Sequence, residues 1–210
     1  MVIPDTAPCS ASGVYSTPVL KATDISFSTA PFDEVINTAG QTWNLTEING
    51  RLLLGHHEGA FEIENNLALP IASGVGYWNF IPTSSIFPSR TIIAGNYKGL
   101  KTIRFDENQF TADKEIDGFN ESSRFLAVDE KQDYWVSHPY HGVYRLFKKS
   151  DSSYDAHSYG VKKGLPQLLN NHIYKIKNRI LAATENGVYA YRSDKDLLAS
   201  TNAPFLVSVS

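Results

Sequence analysis

The sequence predicts an all-β fold made of β-propeller blades of four antiparallel strands, amounting to a partial propeller of about four to five blades. Three observations carry this prediction. A strand, a glycine turn and a second strand recur along the chain, each copy follows a further strand and turn, and apolar residues alternate with a spacing of two. Aromatic and β-branched residues also cluster between frequent glycines and prolines, which favours strands.

The first observation rests on four glycines, each of which follows a short apolar strand and begins an alternating one. They recur every 40 to 45 positions and are Gly59, Gly99, Gly142 and Gly187, with a fainter copy at Gly13. A tight turn suits glycine because glycine adopts a positive φ at little cost. The period is typical of a propeller blade.

The second observation supplies the other strands of each repeat. Residues 45–48 form an apolar run that ends at Asn49-Gly50, a strong hairpin signal. Residues 125–128 and 173–176 also run into turns. A looser strand, such as the one predicted at residues 155–159, completes the repeat. Four short strands per repeat are the content of one blade.

The third observation excludes helical repeats of similar length, which would place apolar residues at i, i+3, i+4 and i+7. Here the apolar spacing is two, as in a half-buried strand. We therefore expect partial blade strands in residues 1–41, followed by four blades. Their predicted ranges are 42–76, 77–121, 122–170 and 171–210.

Composition and charge exclude several classes of function. The 210 residues carry a formal net charge of −3 with mixed signs, so the chain has no electrostatic reason to bind nucleic acid or an anionic membrane. Cys9 is the single cysteine, which excludes an internal disulfide and a cysteine-rich metal site. No stretch approaches the length of a membrane span, and residues 1–8 lack the features of a secretory signal. We expect either a cytosolic protein or one whose signal lies outside this sequence.

Two of the copies carry motifs that go beyond the general blade pattern. In the last copy a Gly-Leu-Pro run at 164–166 precedes Asn171, and Gly-Val-Tyr follows at 187–189. The third copy has Trp135 and a second Gly-Val-Tyr run at 142–144. These motifs resemble the bacterial two-component regulator propeller repeat.

The resemblance covers residues 42–191 and carries its own implications. Residues 118–125 resemble the subfamily that joins such propellers to a triple-tyrosine domain and a LuxR-type helix-turn-helix output. In that family the propeller is the extracytoplasmic input domain, and a membrane helix and an intracellular output follow it. The resemblance thus implies a periplasmic sensing module, not an enzyme, whose parent protein has its membrane segment outside this sequence.

The number of blades leaves the assembly open. Four blades and part of a fifth are too few to close the larger propellers usual for this repeat, and they leave sheet edges exposed. The chain is therefore a piece of a larger propeller, or it self-associates through open blade edges. A third arrangement is a five-bladed ring, in which the Gly13 region and a strand at 204–209 complete a split blade.

Ligand-binding candidates lie in the turns that follow the second strand of each blade. These turns are expected on the same face as the connections between blades, and loops on a rigid scaffold often bind ligands. Their polar and aromatic side chains would suit an oligosaccharide or a peptide, although solvated turn residues would look the same. The candidates are His56, His57, Trp78, Asn96, Tyr97, Tyr140, His141, Glu185 and Asn186. Trp78 is included because neighbouring glycines place it near an exposed connection, where its ring could stack on a ligand.

Neither a metal site nor a catalytic site is predicted, and no cofactor. The adjacent His56 and His57 would point to opposite faces of a strand. His138 and His141 flank a turn and could converge, but no known metal motif surrounds them. Nucleophile elbows and phosphate loops are also missing from the sequence. The leading hypothesis is a sensor of an extracellular ligand or partner; the alternatives are a protein-interaction scaffold and, less favoured, a polysaccharide-acting hydrolase or lyase.

Overall fold

The computed structural model describes residues 12–17, 32–149 and 153–201. Cys9 and the strand predicted at 204–209 lie outside the described residues. Within the described ranges, no helix has the length and apolar character needed to cross a membrane.

The predicted fold class is confirmed: the chain is all-β and forms β-propeller blades of four antiparallel strands. A two-stranded ribbon, β1 (Tyr15–Ser16) with β2 (Asp33–Glu34), precedes the blades. The first blade comprises β3 (Thr42–Ile48), β4 (Arg51–His56), β5 (Gly59–Glu64) and β6 (Leu67–Ser73). The second comprises β7 (Tyr77–Pro82), β8 (Thr91–Asn96), β9 (Gly99–Asp106) and β10 (Gln109–Glu115).

The remaining two blades follow the same order. The third comprises β11 (Phe125–Val128), β12 (Tyr134–His138), β13 (Gly142–Lys148) and β14 (Tyr154–Tyr159). After a single 3₁₀ turn at Val161–Lys163, the fourth comprises β15 (His172–Ile176), β16 (Arg179–Thr184), β17 (Gly187–Arg192) and β18 (Leu197–Ser200). In every blade, strands that are consecutive in sequence are neighbours in the sheet.

The chain divides into two compact units by its internal contacts. Unit 1 contains the described residues up to 94 together with 103–113, and unit 2 contains 95–102 and the described residues from 114 onward. Unit 1 has a core that includes Leu53, Tyr77 and Ile92, and a second cluster in which Val14 and Val35 pack with Leu54. The core of unit 2 is built around Trp135, with apolar residues of the third and fourth blades.

The second strand of each blade is covered on both faces. Each contains two consecutive apolar residues that are almost fully buried: Leu53 and Leu54, Ile92 and Ile93, Trp135 and Val136, and Leu181 and Ala182. Successive side chains of a strand point to opposite faces, so both faces of these strands pack in a core. This burial explains why the second strands are continuous apolar runs instead of alternating ones.

Close packing at the end of the second strand requires a small residue. A Cβ at Gly55 would lie 2.7 Å from the carbonyl oxygen of Tyr77, and a Cβ at Gly95 would lie 2.2 Å from that of Ser123. Both distances are too short for a side-chain atom. In the third blade the equivalent residue is Ser137, whose Oγ accepts a hydrogen bond from the backbone N–H of Ile173 at 3.2 Å. The first strand of the fourth blade thus approaches Ser137 closely.

A buried arginine joins the third and fourth blades within unit 2. Arg145, on β13, donates from Nε and Nη2 to Oδ2 of Asp133, at 3.1 and 2.7 Å, and from Nη1 to the Tyr191 hydroxyl at 2.6 Å. Its guanidinium also lies 5.2 Å from the ring centre of Trp135. The Trp135 indole N–H in turn donates to Asp129 at 3.0 Å. One cation therefore holds side chains of both sheets in a fixed arrangement.

We expect Arg145→Met to lower the free energy of unfolding by about 3–5 kcal/mol, because it leaves the Asp133 carboxylate buried without its partner. Arg192→Met is the matched control, since Arg192 forms an exposed pair with Asp194; it should cost less than about 0.5 kcal/mol. Urea denaturation followed by circular dichroism measures both. Equal losses in the two variants would contradict the role assigned to Arg145.

Candidate functional site

The turns after the second strands, called here the rim turns, lie against the connections between blades. Backbone or side-chain hydrogen bonds link each rim turn to a connection: His57 N–H to Gln41 O, Ser123 N–H to Asn96 O, Gly142 N–H to Leu168 O, and Asn170 Nδ2 to Glu185 Oε1. The distances are 3.0 Å for the three backbone bonds and 2.9 Å for the last. Turns and connections therefore share one side of their blades, as the order of strands predicts.

A side chain caps every rim turn. The last residue of the second strand accepts a hydrogen bond from the backbone N–H two residues later, at 2.8 to 3.2 Å. The four acceptors are His56 Nδ1, Asn96 Oδ1, His138 Nδ1 and Thr184 Oγ1. Such local bonds satisfy a backbone N–H that the turn leaves without a partner in the sheet. Two of the predicted ligand-binding residues, His56 and Asn96, thus have a structural role.

His56 and His57 differ from the prediction that their side chains diverge. Their ring centres are 4.3 Å apart, because β4 ends at His56 and His57 already belongs to the turn. Nδ1 of His56 accepts the N–H of Glu58, so the neutral ring carries its proton on Nε2, which donates to the carbonyl of Ala39 at 3.2 Å. With both nitrogens engaged in this way, His56 is not available to a ligand.

Trp78 lies near the exposed turn at Gly74, as expected, but within a strand. It belongs to β7 and not to an exposed connection, and its ring centre is 4.5 Å from that of Trp43. Both side chains are half-buried. The neighbouring Gly74 has a positive φ in the turn before β7. The turn therefore accounts for a glycine at this position, whether or not the aromatic residue that follows is exposed. Trp78 is therefore a packing residue of unit 1.

The other candidates remain at the surface of unit 2. Tyr97 and Tyr140 are exposed, the latter by 67%. Glu185 is fully exposed, and hydrogen bonds from Asn170 and then Gln167 lower its pKa. Asn186 uses its backbone N–H in the cap of the fourth rim turn.

The third rim turn contains a group of four polar and aromatic side chains, called here the Glu121 cluster. Glu121 belongs to the connection between the second and third blades, and its Oε2 lies 3.4 Å from Nε2 of His138 and 3.2 Å from Nδ1 of His141. The two imidazole rings stack in parallel, with centres 4.0 Å apart. Tyr140 completes the cluster and places its ring centre 6.1 Å from that of His138.

The protonation state of His138 follows from its hydrogen bonds. Its Nδ1 accepts the backbone N–H groups of Tyr140 and His141, at 3.0 and 3.2 Å. The neutral ring therefore carries its proton on Nε2, the atom that lies 3.4 Å from the Glu121 carboxylate. Burial lowers the pKa of His138, and the charge of His141 lowers it further, so the neutral form is favoured.

The proximity of three metal-ligating groups in the Glu121 cluster raises the question of an ion. The donor atoms of Glu121, His138 and His141 all lie within 4.8 Å of one another. A metal ion lies in the plane of each imidazole that binds it, whereas these two rings are 4° from parallel and stacked, so their planes do not meet at a common point. Nε2 of His138 also carries the proton of the neutral ring. Both features favour hydrogen bonding to Glu121 over coordination.

Glu121 is the member of the cluster that sequence reasoning missed. The two histidines were recognisable because they flank a turn in one blade, but Glu121 lies 17 residues before His138, in a connection. The only sequence signal was its position in the segment 118–125, between two predicted blades.

Two variants should distinguish the capping role of His138 from the effect of its titration. His138→Asn should keep stability near neutral pH, because Asn96 performs the same capping in the second blade, whereas His138→Ala should lose about 1 kcal/mol. Chemical denaturation measures the free energy of unfolding of each. A loss in His138→Asn as large as that in His138→Ala would contradict the capping role.

Acidification should destabilise the wild-type chain, because burial lowers the pKa values of His56, His138 and His172 in the folded state. The unfolded chain then binds more protons as the pH falls below about 6.5, and the free energy of unfolding falls with it. The loss from about pH 7.5 to about pH 5.5 should be smaller in His138→Asn. An unchanged pH dependence in that variant would contradict the assignment.

Comparisons with known proteins reveal similarity in fold. No protein-family model matches the sequence, and no curated protein matches it. Among solved structures, the extracellular domain of BT4673 from B. thetaiotaomicron, assigned to the hybrid two-component systems, is 15% identical with a TM-score of 0.60; the match covers 80% of this chain and 22% of that one. The chain thus spans about a fifth of that relative.

Two other structures are similar over most of the chain. The WD40 β-propeller domain of Doa1 is 14% identical with a TM-score of 0.59, and the match covers 91% of this chain and 62% of that domain. A protein assigned as a 6-phosphogluconolactonase (BF1038) from Bacteroides fragilis is 15% identical with a TM-score of 0.51, over 89% of this chain and 57% of that one. At these identities the similarity establishes the fold: this chain consists of β-propeller blades.

Proposed function

We propose that this chain is a sensing module, which binds an extracellular ligand or partner for a larger bacterial signal-transduction or transcription-regulatory protein. The observation that carries the proposal is the Glu121 cluster, in which the accessible side chains of Glu121, Tyr140 and His141 meet where a connection lies against a rigid rim turn. Loops fixed on a rigid scaffold are common binding sites. The similarity to the extracellular domain of BT4673 supports the same function.

The chemistry of the cluster suits a neutral polar ligand such as an oligosaccharide or a peptide. Glu121 Oε2 is hydrogen-bonded to Nδ1 of His141 at 3.2 Å and lies 3.4 Å from Nε2 of His138, and these contacts orient the carboxylate. Its side chain is 39% exposed, so Oε1 can accept hydrogen bonds from ligand hydroxyl or amide groups. The exposed ring of Tyr140 offers a surface on which an apolar ligand face can pack.

A binding role fits the rim better than a catalytic one. A hydrolase or lyase acting on polysaccharide would need convergent acids or a metal at the rim. The Glu121 cluster supplies one carboxylate, and its two imidazoles hydrogen-bond to it or cap a turn. The similarity to the BF1038 propeller, at a TM-score of 0.51, concerns the fold. We therefore propose that the chain is not an enzyme.

A second candidate function is a protein-interaction scaffold, which one observation favours. The connection that contains the exposed Leu168 and Leu169 lies against the third rim turn, through the bonds of Gly142 N–H to Leu168 O and of Asn170 N–H to Pro139 O. These leucines and Tyr140 place apolar surface beside the polar cluster. A protein partner would cover such surface.

The same comparison supports a proposal about the location. We propose that the chain forms an extracytoplasmic part of an inner-membrane protein. BT4673 supports this proposal, because the matching region of that protein is an extracellular domain and extends well beyond the length of this chain.

We expect a thermal-shift screen against oligosaccharides and peptides to identify a compound that raises the melting temperature in a concentration-dependent way. Glu121→Gln and Tyr140→Ala should each weaken binding of that compound about tenfold or more, which corresponds to about 1.4 kcal/mol. Glu115→Gln, on the exposed outer strand β10, is the matched control and should bind as the wild type does. Titration calorimetry measures the affinities.

The melting temperature of each variant without ligand separates lost binding from lost folding. Full binding by both Glu121→Gln and Tyr140→Ala would place the ligand elsewhere and overturn the role of the cluster. Binding of a peptide with no response to any oligosaccharide would favour the interaction scaffold.

A further inference from the structure

A second group of side chains, distant in sequence from the rim turns, lies on the first strands of the third and fourth blades in unit 2. Arg124 directly precedes β11, Phe125 begins it, and His172 and Tyr174 lie on β15, which packs against β11. His172 and Tyr174 are two residues apart on one strand, so their side chains share a face.

These four side chains contact one another through the Phe125 ring. His172 stacks on this ring with centres 4.0 Å apart and planes 25° from parallel. The Tyr174 ring centre lies 6.4 Å from it, and the Arg124 guanidinium carbon lies 5.6 Å from it. A cation, an imidazole and a phenol therefore surround a single aromatic ring.

The polar atoms of this group face a surface where a ligand can reach them. Arg124 is exposed, and Tyr174 is 45% exposed. Among the described residues, the ring nitrogens of His172 and the hydroxyl of Tyr174 make no hydrogen bond. The residues that alternate with them contribute to the core instead, as Ile173 does at 2% exposure. Packing thus accounts for Ile173 but leaves these polar atoms without a role.

We infer that Arg124, His172 and Tyr174 form a binding site for the carboxylate group of a small organic acid, with the acid's apolar or aromatic portion against the rings of Phe125 and Tyr174. A guanidinium presents paired N–H donors that match a carboxylate. The imidazole N–H of neutral His172 and the Tyr174 hydroxyl can donate to the same group. This site is independent of the Glu121 cluster and of the ligand proposed there.

The charges around the site favour an anion. Arg124 supplies the positive charge of the site. Burial lowers the pKa of His172, and Arg124 lowers it further, so the imidazole is neutral near pH 7 and can be a hydrogen-bond donor without a second positive charge. Glu130 pairs with Lys175 of β15 at 2.8 Å. Lys175 directly follows Tyr174 and, like Ile173, lies on the opposite face of β15, so this pair does not occupy the site.

Benzoate is a suitable probe, because it combines a carboxylate with a ring. We expect saturable binding of benzoate to the whole 210-residue chain, observed as shifts of the His172 ring signals in imidazole ¹⁵N spectra. Benzyl alcohol, which keeps the ring but lacks the charge, should produce no saturable shift at the same concentration. Bound carboxylate should also raise the pKa of His172, because a nearby negative charge favours the imidazolium.

Arg124→Gln should weaken benzoate binding at least tenfold, and Arg104→Gln is the matched control. Arg104 is an exposed strand arginine paired with Asp113, and its loss should leave the benzoate affinity unchanged. Tyr174→Phe should weaken binding by a smaller factor, because it removes one donor and keeps the ring. Melting temperatures verify that all variants fold.

Three results would overturn this inference: no saturable benzoate shift, equal shifts with benzyl alcohol, or full benzoate affinity in Arg124→Gln. The Arg124→Gln result is decisive even if His172 variants fail to fold, because Arg124 is exposed and the control removes a comparable exposed charge.

Discussion

The four blades depend on a repeated hydrogen bond, in which the residue that ends the second strand caps the turn leading into the third. His56, Asn96, His138 and Thr184 perform this task with three different chemical groups. What the turn requires is an acceptor at one position, because the backbone N–H two residues later has no partner in the sheet. This constraint places polar side chains at every rim turn, whether or not the turn also binds a ligand.

The same capping hydrogen bond distinguishes the polar side chains of the rim turns that have a structural role from those that are available to a ligand. His56 uses one ring nitrogen for its turn and the other for the carbonyl of Ala39, so both are occupied. His138 also caps its turn, but its second nitrogen meets a carboxylate that is itself accessible. The neutral tautomer, fixed by the backbone, thus places the Nε2 N–H group of a structural histidine beside the Glu121 carboxylate. Binding capacity at this rim turn comes from Glu121, His141 and Tyr140.

Arg145 provides a different kind of constraint within unit 2. It brings a charge into the space between the third and fourth blades, where Asp133 and the Tyr191 hydroxyl satisfy its donors. A fixed arrangement of these two sheets also fixes β11 beside β15, and with them Phe125 and His172. The proposed carboxylate site therefore relies on a network that lies elsewhere in the same unit.

The sequence alone determined the blades, because a blade is specified by local signals. The two-residue alternation, the apolar second strands and the glycine turns each act over a few residues, and the fold class followed from their recurrence every 40 to 45 positions. It also identified Tyr140 and His141 as surface turn residues. The glycines near Trp78 signalled the turn before β7, but they do not say whether the next aromatic belongs to the strand that follows.

Only the tertiary structure decided which side chains meet. Glu121 reaches His138 and His141 from a connection outside their blade, and His172 reaches Phe125 across 47 positions of sequence. These contacts depend on how the first strands of neighbouring blades, and the connections between them, pack together. No local sequence pattern encodes that packing. The tautomer of His138 likewise follows from two backbone N–H groups, whose directions are set when the turn closes.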